Sequence, residues 1–182
     1  MELINNINYR YIGIFNTDSF LNKIVDNNLS WDDYEFRQIR YKDHSETRTI
    51  PIIFSERFLD KDMIWERNSY IFREEIESIE KYLRKNLSER GKIMSLILIK
   101  LPAGKSIGRH RDANPIGDRF NRCHRIHIPI KTNDECFFEI EGEIKNMKKD
   151  EVWEISNVKK LHSVSNNGDT DRVHILIDWD PI

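Results

Sequence analysis

Arg125-Ile126-His127-Ile128-Pro129-Ile130 is the stretch that decides the fold, because it alternates: Ile126, Ile128 and Ile130 fall on one side, Arg125 and His127 on the other. A period of two belongs to a β-strand whose apolar face packs and whose polar face lines a pocket. His124 shares the isoleucine face and is assigned no role. The same texture continues in both directions. Short runs rich in Ile, Val, Phe and Trp recur at about Ile93–Leu101, Ser106–Asp112, Cys123–Lys131, Glu135–Glu141, Glu143–Met147, Glu151–Ser156, Leu161–Asn166 and Arg172–Trp179. Turns such as Glu141-Gly142 and Asn167-Gly168-Asp169 join several of them. These eight runs predict a mainly β architecture with flanking helices, a double-stranded β-helix of the jelly-roll, cupin-like type.

Before Gly91 the period changes. Phe72, Ile76, Ile79, Leu83 and Leu87 recur at steps of three and four, while Glu74, Glu75, Glu77, Lys81 and Lys85 cover the opposite face. This predicts an amphipathic helix between Tyr70 and Arg90, stopped by Gly91 and laid against an outer face of the barrel. Further upstream, Thr17-Asp18-Ser19 reads as the N-cap of a short helix through about Asn27, and Arg10–Phe15 and Asp33–Ile39 have strand-like character. The expected organisation is one domain, residues 1–182, with an α/β lead-in over 1–92 packing on a core over 93–182.

Composition narrows the function classes. With 33% charged residues and a net charge of -2, no basic excess points to nucleic acid. No apolar run is long enough for a membrane helix, and the N-terminus lacks the basic-then-apolar pattern of a secretory signal. A cytoplasmic protein is expected, with Cys123 and Cys136 unpaired and structural.

The chemistry is concentrated in the histidines. Five of six, His110, His124, His127, His162 and His174, lie within the predicted barrel. His110 and Asp112 are two apart, so on a strand both project to one side; His162 follows on a later strand. Two histidines and one carboxylate form a facial triad that holds Fe(II) and leaves open positions for a cosubstrate and O2. Arg172, on the strand after His162, would place a permanent charge inside the barrel, where a carboxylate such as the distal one of 2-oxoglutarate is its natural partner. Arg125 and His127 are placed to neutralise the metal-proximal carboxylate, with an ion pair at the barrel mouth as the alternative. His174 reads as a satisfied core histidine and His44 as solvent-facing.

These residues resemble the aspartyl/asparaginyl β-hydroxylase-like branch of the Fe(II)/2-oxoglutarate-dependent dioxygenases. The resemblance runs from about Leu101 to Pro181. It is carried by Pro102-Ala103-Gly104 before His110, the Arg125-Ile126-His127 strand, Trp153 before His162-Ser163-Val164-Ser165-Asn166, and Arg172 leading to Asp178-Trp179. It implies that His110 and His162 bind iron, that Arg172 holds the distal carboxylate of 2-oxoglutarate, and that Arg125 with His127 contacts its other end. Two departures matter. The animal members that name the family lack the carboxylate that Asp112 supplies here. An Asp ligand fills the position a halide would need, so hydroxylation is expected rather than halogenation. Those members also carry a serine that helps hold the distal carboxylate, where counting back from Pro102 gives Leu98.

The expected activity is hydroxylation of an unactivated C–H bond in an amino acid or a protein side chain, using Fe(II), 2-oxoglutarate and O2. Two rivals use the same residues: a Zn- or Mn-dependent cupin-like hydrolase or isomerase, and a non-catalytic jelly-roll binding module. A kinase reading of His110-Arg111-Asp112 is excluded, since the chain has neither a glycine-rich phosphate loop nor Asp-Phe-Gly. Substrate choice is expected from Ala113–Arg122, with Asp118, Arg119 and Arg122, and from lead-in segments such as His44–Ile53.

Overall fold

The computed structural model describes residues 7–54, 67–88, 90–112, 123–156 and 160–181. Its elements in chain order are β1 (Tyr9–Ile14), α1 (Asp18–Asp26), α2 (Phe36–Arg40), β2 (Arg48–Ile53), α3 (Arg73–Asn86), β3 (Gly91–Leu101), β4 (Ser106–His110), β5 (His124–Lys131), β6 (Cys136–Ile140), β7 (Glu143–Lys145), β8 (Glu151–Ile155), β9 (His162–Asn166) and β10 (Arg172–Pro181). Single 3-10 turns lie at Lys42–His44 and Arg67–Tyr70. The strands form a six-stranded sheet, β1-β8-β5-β10-β3-β2, and a four-stranded sheet, β4-β9-β6-β7. Every pairing is antiparallel. This is the jelly-roll architecture that the strand pattern predicts, and all eight runs are found as β3 to β10 to within two residues.

Alternation decides what each face of the large sheet carries. Ile126, Ile128 and Ile130 of β5, Ile175 and Ile177 of β10, and Leu96 and Leu98 of β3 belong to one apolar cluster. That cluster also takes in Phe72, Ile76, Ile79, Leu83 and Leu87, the predicted face of α3, together with Phe20 and Ile24 of α1. Each of these side chains contributes roughly 1.5–3 kcal/mol by leaving water, so the outer face is closed by helices as expected. On the other face, Leu101 meets Ile107, Phe138, Ile140 and Val164 of the small sheet in a second cluster. The intervening inward positions of β5 and β10 carry polar side chains around Leu176: Arg125 is the register partner of Asp178, and His127 is the partner of Leu176.

Several local expectations are corrected. Asp33–Ile39 is not a strand; it contains most of the short helix α2. Tyr34 and Phe36 pack on a cluster of Phe54, Ile97, Ile99 and Leu176, and these tertiary contacts override their β propensity. Most of the lead-in segment His44–Ile53 is an edge strand, Arg48–Ile53, and the edge is where a sheet accepts Pro51. Gly91 does not stop the helix, which ends at Asn86. Gly91 instead opens β3, where a Cβ would fall inside van der Waals contact of the Trp179 indole. Thr17 does occupy the N-cap of α1, but its hydroxyl donates to Asp150 Oδ1 at 2.6 Å and does not cap the helix. Cys123 and Cys136 are buried and form no disulfide with each other, as expected. Among the described residues no helix is long and apolar enough to cross a membrane.

Candidate metal and cosubstrate site

The register of the small sheet brings the two predicted iron histidines face to face. His110 of β4 is the direct partner of His162 of β9, with ring centroids 4.3 Å apart. A bulge makes this possible. Ile107 faces the interior and pairs with Val164, and strict alternation from Ile107 would aim His110 outward; an irregularity between Ile107 and His110 turns it in. Asp112 lies beyond the end of β4, so parity does not place it. It reaches the site nonetheless: its Oδ1 is 3.6 Å from His110 Nε2 and 3.7 Å from His162 Nε2.

Backbone carbonyls set both imidazoles in the same way. His110 Nδ1 lies 2.7 Å from the carbonyl of Gly108, and His162 Nδ1 lies 3.2 Å from that of Lys160. A ring nitrogen against a carbonyl carries the proton, so in the neutral imidazole Nε2 is the nitrogen that holds the lone pair, and in both rings it faces Asp112. His110 Nε2 is buried and has no hydrogen-bond partner among the described residues. The separations from Asp112 exceed hydrogen-bond length and suit three ligands around an ion. Phe138 stacks on His162 at 5.8 Å and 12° and fixes its ring plane.

Asp112 is steered from the opposite sheet. Its Oδ2 accepts a hydrogen bond from Arg125 Nη1, while Arg125 grips Asp178 through Nε at 2.7 Å and Nη2 at 3.1 Å. Burial pushes the pKa of the Asp112 carboxyl up, but Arg125 and the neighbouring imidazoles outweigh it and hold the group well below the usual carboxylate range. Asp112 is therefore an anion at any physiological pH. The structure thus shows Arg125 in the ion-pair arrangement, with Asp178 as a partner that the sequence reading did not assign. A signal existed: Asp178 shares the parity of Arg172 and His174 along β10.

Deeper in the interior, Arg172 is buried, and Leu101 is its register partner on β3. Its Nη2 contacts His174 Nδ1 at 2.9 Å. Among the described residues no carboxylate lies within ion-pair distance of it, and burial pushes the guanidinium down to about 10, which leaves it charged at neutral pH. A buried cation without an anion fits a carboxylate ligand. Burial and Arg172 hold both His127 and His174 well below their ordinary value, so both are neutral. His174 is thus a core histidine with a polar partner on one nitrogen, while its Nε2 is buried without a hydrogen bond.

His44 does not face solvent. Its ring lies edge-on 5.1 Å from His110, and ligand atoms of His44, His110 and Asp112 fall within 4.8 Å of one another. Burial and then Arg37 push it down to about 3, so it too is a neutral imidazole. Arg37 of α2 is a second residue that the sequence did not flag, buried and lining the cavity above the triad. Nothing in the local sequence marks either residue, since Arg37 arrives on the short helix α2 and His44 on the turn after it, both placed by tertiary packing. Of the segments expected to choose substrate, Ala113–Arg122 lies outside the described residues. An outer cavity of about 300 Å³ and an inner chamber share Arg37, His44, His110, Asp112, Arg125 and Leu176 as walls. His162, Arg172, His127 and His174 line the inner chamber only.

With this geometry in hand, comparison with known proteins is informative. The family described as aspartyl/asparaginyl beta-hydroxylase matches residues 21–181. No curated protein gives a significant match. Among solved structures, the viral collagen prolyl hydroxylase of Paramecium Bursaria Chlorella virus-1, in complex with 2-oxoglutarate, is similar at 9% identity and a TM-score of 0.57, covering 97% of this chain and 98% of that one. An oxidoreductase of the 2OG-Fe(II) oxygenase family from Burkholderia pseudomallei gives 12% identity and a TM-score of 0.56 over 74% of this chain and 67% of that one. A prolyl-4-hydroxylase from Pseudomonas putida gives 9% and 0.53, over 97% and 94%. At these identities the likeness concerns the fold.

Proposed function

Because this chain belongs to the aspartyl/asparaginyl β-hydroxylase family and is a 2-oxoglutarate-dependent hydroxylase, we propose that His110, Asp112 and His162 hold its Fe(II), and that Arg172 holds the distal carboxylate of 2-oxoglutarate. The observation that carries this reading is the convergence of two carbonyl-fixed imidazoles on one Arg-steered carboxylate. When bound, iron with 2-oxoglutarate and O2 supplies the oxidising power for C–H hydroxylation. The chain's own residues supply position and charge. Gly108 and Lys160 carbonyls keep Nε2 of both histidines free for the metal. Arg125, spanning Asp112 and Asp178, holds the third ligand in place, and with neutral His127 it borders the position of the metal-proximal carboxylate. Neutral His174 orients Arg172 without competing for its anion, whereas Leu98, counted to the position of the family's serine, faces the helix-covered side of the sheet and takes no part.

Asp112 completes the ligand set, which supports hydroxylation over halogenation. His44 offers a nitrogen nearby, but its Nδ1 has no hydrogen-bond partner to fix a tautomer, so it is assigned to the wall of the site and not to the triad. The substrate in this reading is an amino acid or a protein side chain, and the setting is cytoplasmic, which two cysteines without a disulfide between them suit.

The test is succinate formation from 2-oxoglutarate with Fe(II) and O2, together with metal titration of His110→Ala and His162→Ala. Turnover by the wild-type protein and loss of metal binding in both variants are expected. Unaltered metal binding in the two variants would refute the assignment of the ligands.

A further inference from the structure

Arg37 stands apart from the other charged groups of the site. It is 9% exposed, yet its Nη1 is buried with no hydrogen-bond partner among the described residues. It lines both the outer cavity and the inner chamber, alongside His110 and Asp112. Asp112 attracts it and Arg125 repels it. Arg125 already pairs with Asp112 and Asp178, so the carboxylates on that wall are shared with another cation. Desolvating a guanidinium without a dedicated anion is among the larger penalties a fold can carry. The placement is nevertheless firm, because Tyr34 and Phe36 anchor the start of α2 on the cluster of Phe54, Ile97, Ile99 and Leu176. The mouth around it is basic, with Arg40, Lys42 and Arg111 set against Asp43 on the same cavity wall.

We infer that Arg37 binds a carboxylate of the hydroxylation substrate. The planar fork of arginine matches a carboxylate through two parallel hydrogen bonds, which accounts for an arginine held so rigidly at a cavity wall. The inference rests on the site assignment proposed above, in which 2-oxoglutarate has its own cation, Arg172, in the inner chamber. Arg37 lies on the lead-in side of the site, where a second molecule enters through the outer cavity. The carboxylate has two sources, the α-carboxylate of a free amino acid or the side chain of an acidic residue in a peptide.

The experiment uses the full chain with Mn(II) and 2-oxoglutarate, so that nothing turns over, and reads binding by calorimetry. One arm compares a mixture of free L-amino acids with the corresponding amino-acid amides. The other compares acetyl-Gly-Asp-Gly-amide with acetyl-Gly-Asn-Gly-amide. In one of the two arms the carboxylate form is expected to bind at least roughly tenfold more tightly than its amide, the scale of a charge-assisted pair. Arg37→Met removes that preference and Arg37→Lys restores part of it. Equal binding of acid and amide in both arms, or a preference that survives Arg37→Met, overturns the inference. A loss of 2-oxoglutarate affinity in Arg37→Met overturns it as well, since Arg37 would then serve the cosubstrate. If the wild-type protein fails to bind Mn(II) with 2-oxoglutarate at all, the underlying site assignment is what has failed.

Discussion

Asp112 faces two demands with its two oxygens. Oδ1 points to His110 and His162, while Oδ2 is bound to Arg125. Replacing it by glycine removes a proposed metal ligand and leaves Arg125 to Asp178. Because the loss of even an outer partner of a metal ligand commonly costs roughly 10–100-fold in affinity, Mn(II) binding to Asp112→Gly is expected to weaken by at least about tenfold, measured by calorimetry. An undiminished affinity would mean a two-histidine site. Asp178 tests the support behind Asp112. Both it and Arg125 are buried, so Asp178→Asn leaves a guanidinium with less of its charge answered and is expected to cost about 3 kcal/mol in urea unfolding. Metal affinity should fall with it, since Asp112 loses its fixed direction.

At the scale of elements, Gly91 ties the large sheet together at the start of β3. It faces Pro181 in the register, next to Trp179, and has no space for a side chain. Gly91→Ala is expected to cost about 2 kcal/mol, the scale of overpacking a core, with metal affinity kept; urea unfolding and a Mn(II) titration check both. The elements also show where sequence reading has its limits. The strands β3 to β10 and the buried face of α3 were legible because each repeats its own period over enough residues to stand out. The strand β2 was not legible, because Pro51 interrupts it and only its place at the sheet edge makes that harmless. The helix α2 is five residues long, too short for periodicity to register. The site divides in the same way. His110, Asp112, His162 and Arg172 were visible as residue types in order along the chain, although a bulge and not plain alternation turns His110 inward. His44 and Arg37 depend on how α2 and the following turn pack on the barrel, and no local pattern encodes that.

For the whole molecule, the site adds to the contacts between the two sheets, which already include apolar packing and hydrogen bonds such as those from the Tyr9 hydroxyl to the Phe138 and Glu143 carbonyls. His110 and His162 belong to the small sheet, whereas Asp112 is tied through Arg125 to Asp178 of the large one. A metal ion bound by all three ligands therefore links the two sheets, and such a link exists only in the folded chain. Binding to the native state alone stabilises it by about 2.7 kcal/mol when free metal is 100 times the dissociation constant. For a chain of 182 residues that corresponds to a rise of roughly 5–10 °C in Tm. Thermal unfolding with Mn(II), and again after chelation, is expected to show this rise and its loss. The double variant His110→Ala/His162→Ala separates a specific link from general binding of cations to a chain with 31 acidic residues. Its Tm should not respond to Mn(II), because the remaining carboxylate cannot bridge the sheets. A response in the double variant equal to that of the wild-type protein would place the stabilising ion elsewhere and remove the physical basis for the inter-sheet link.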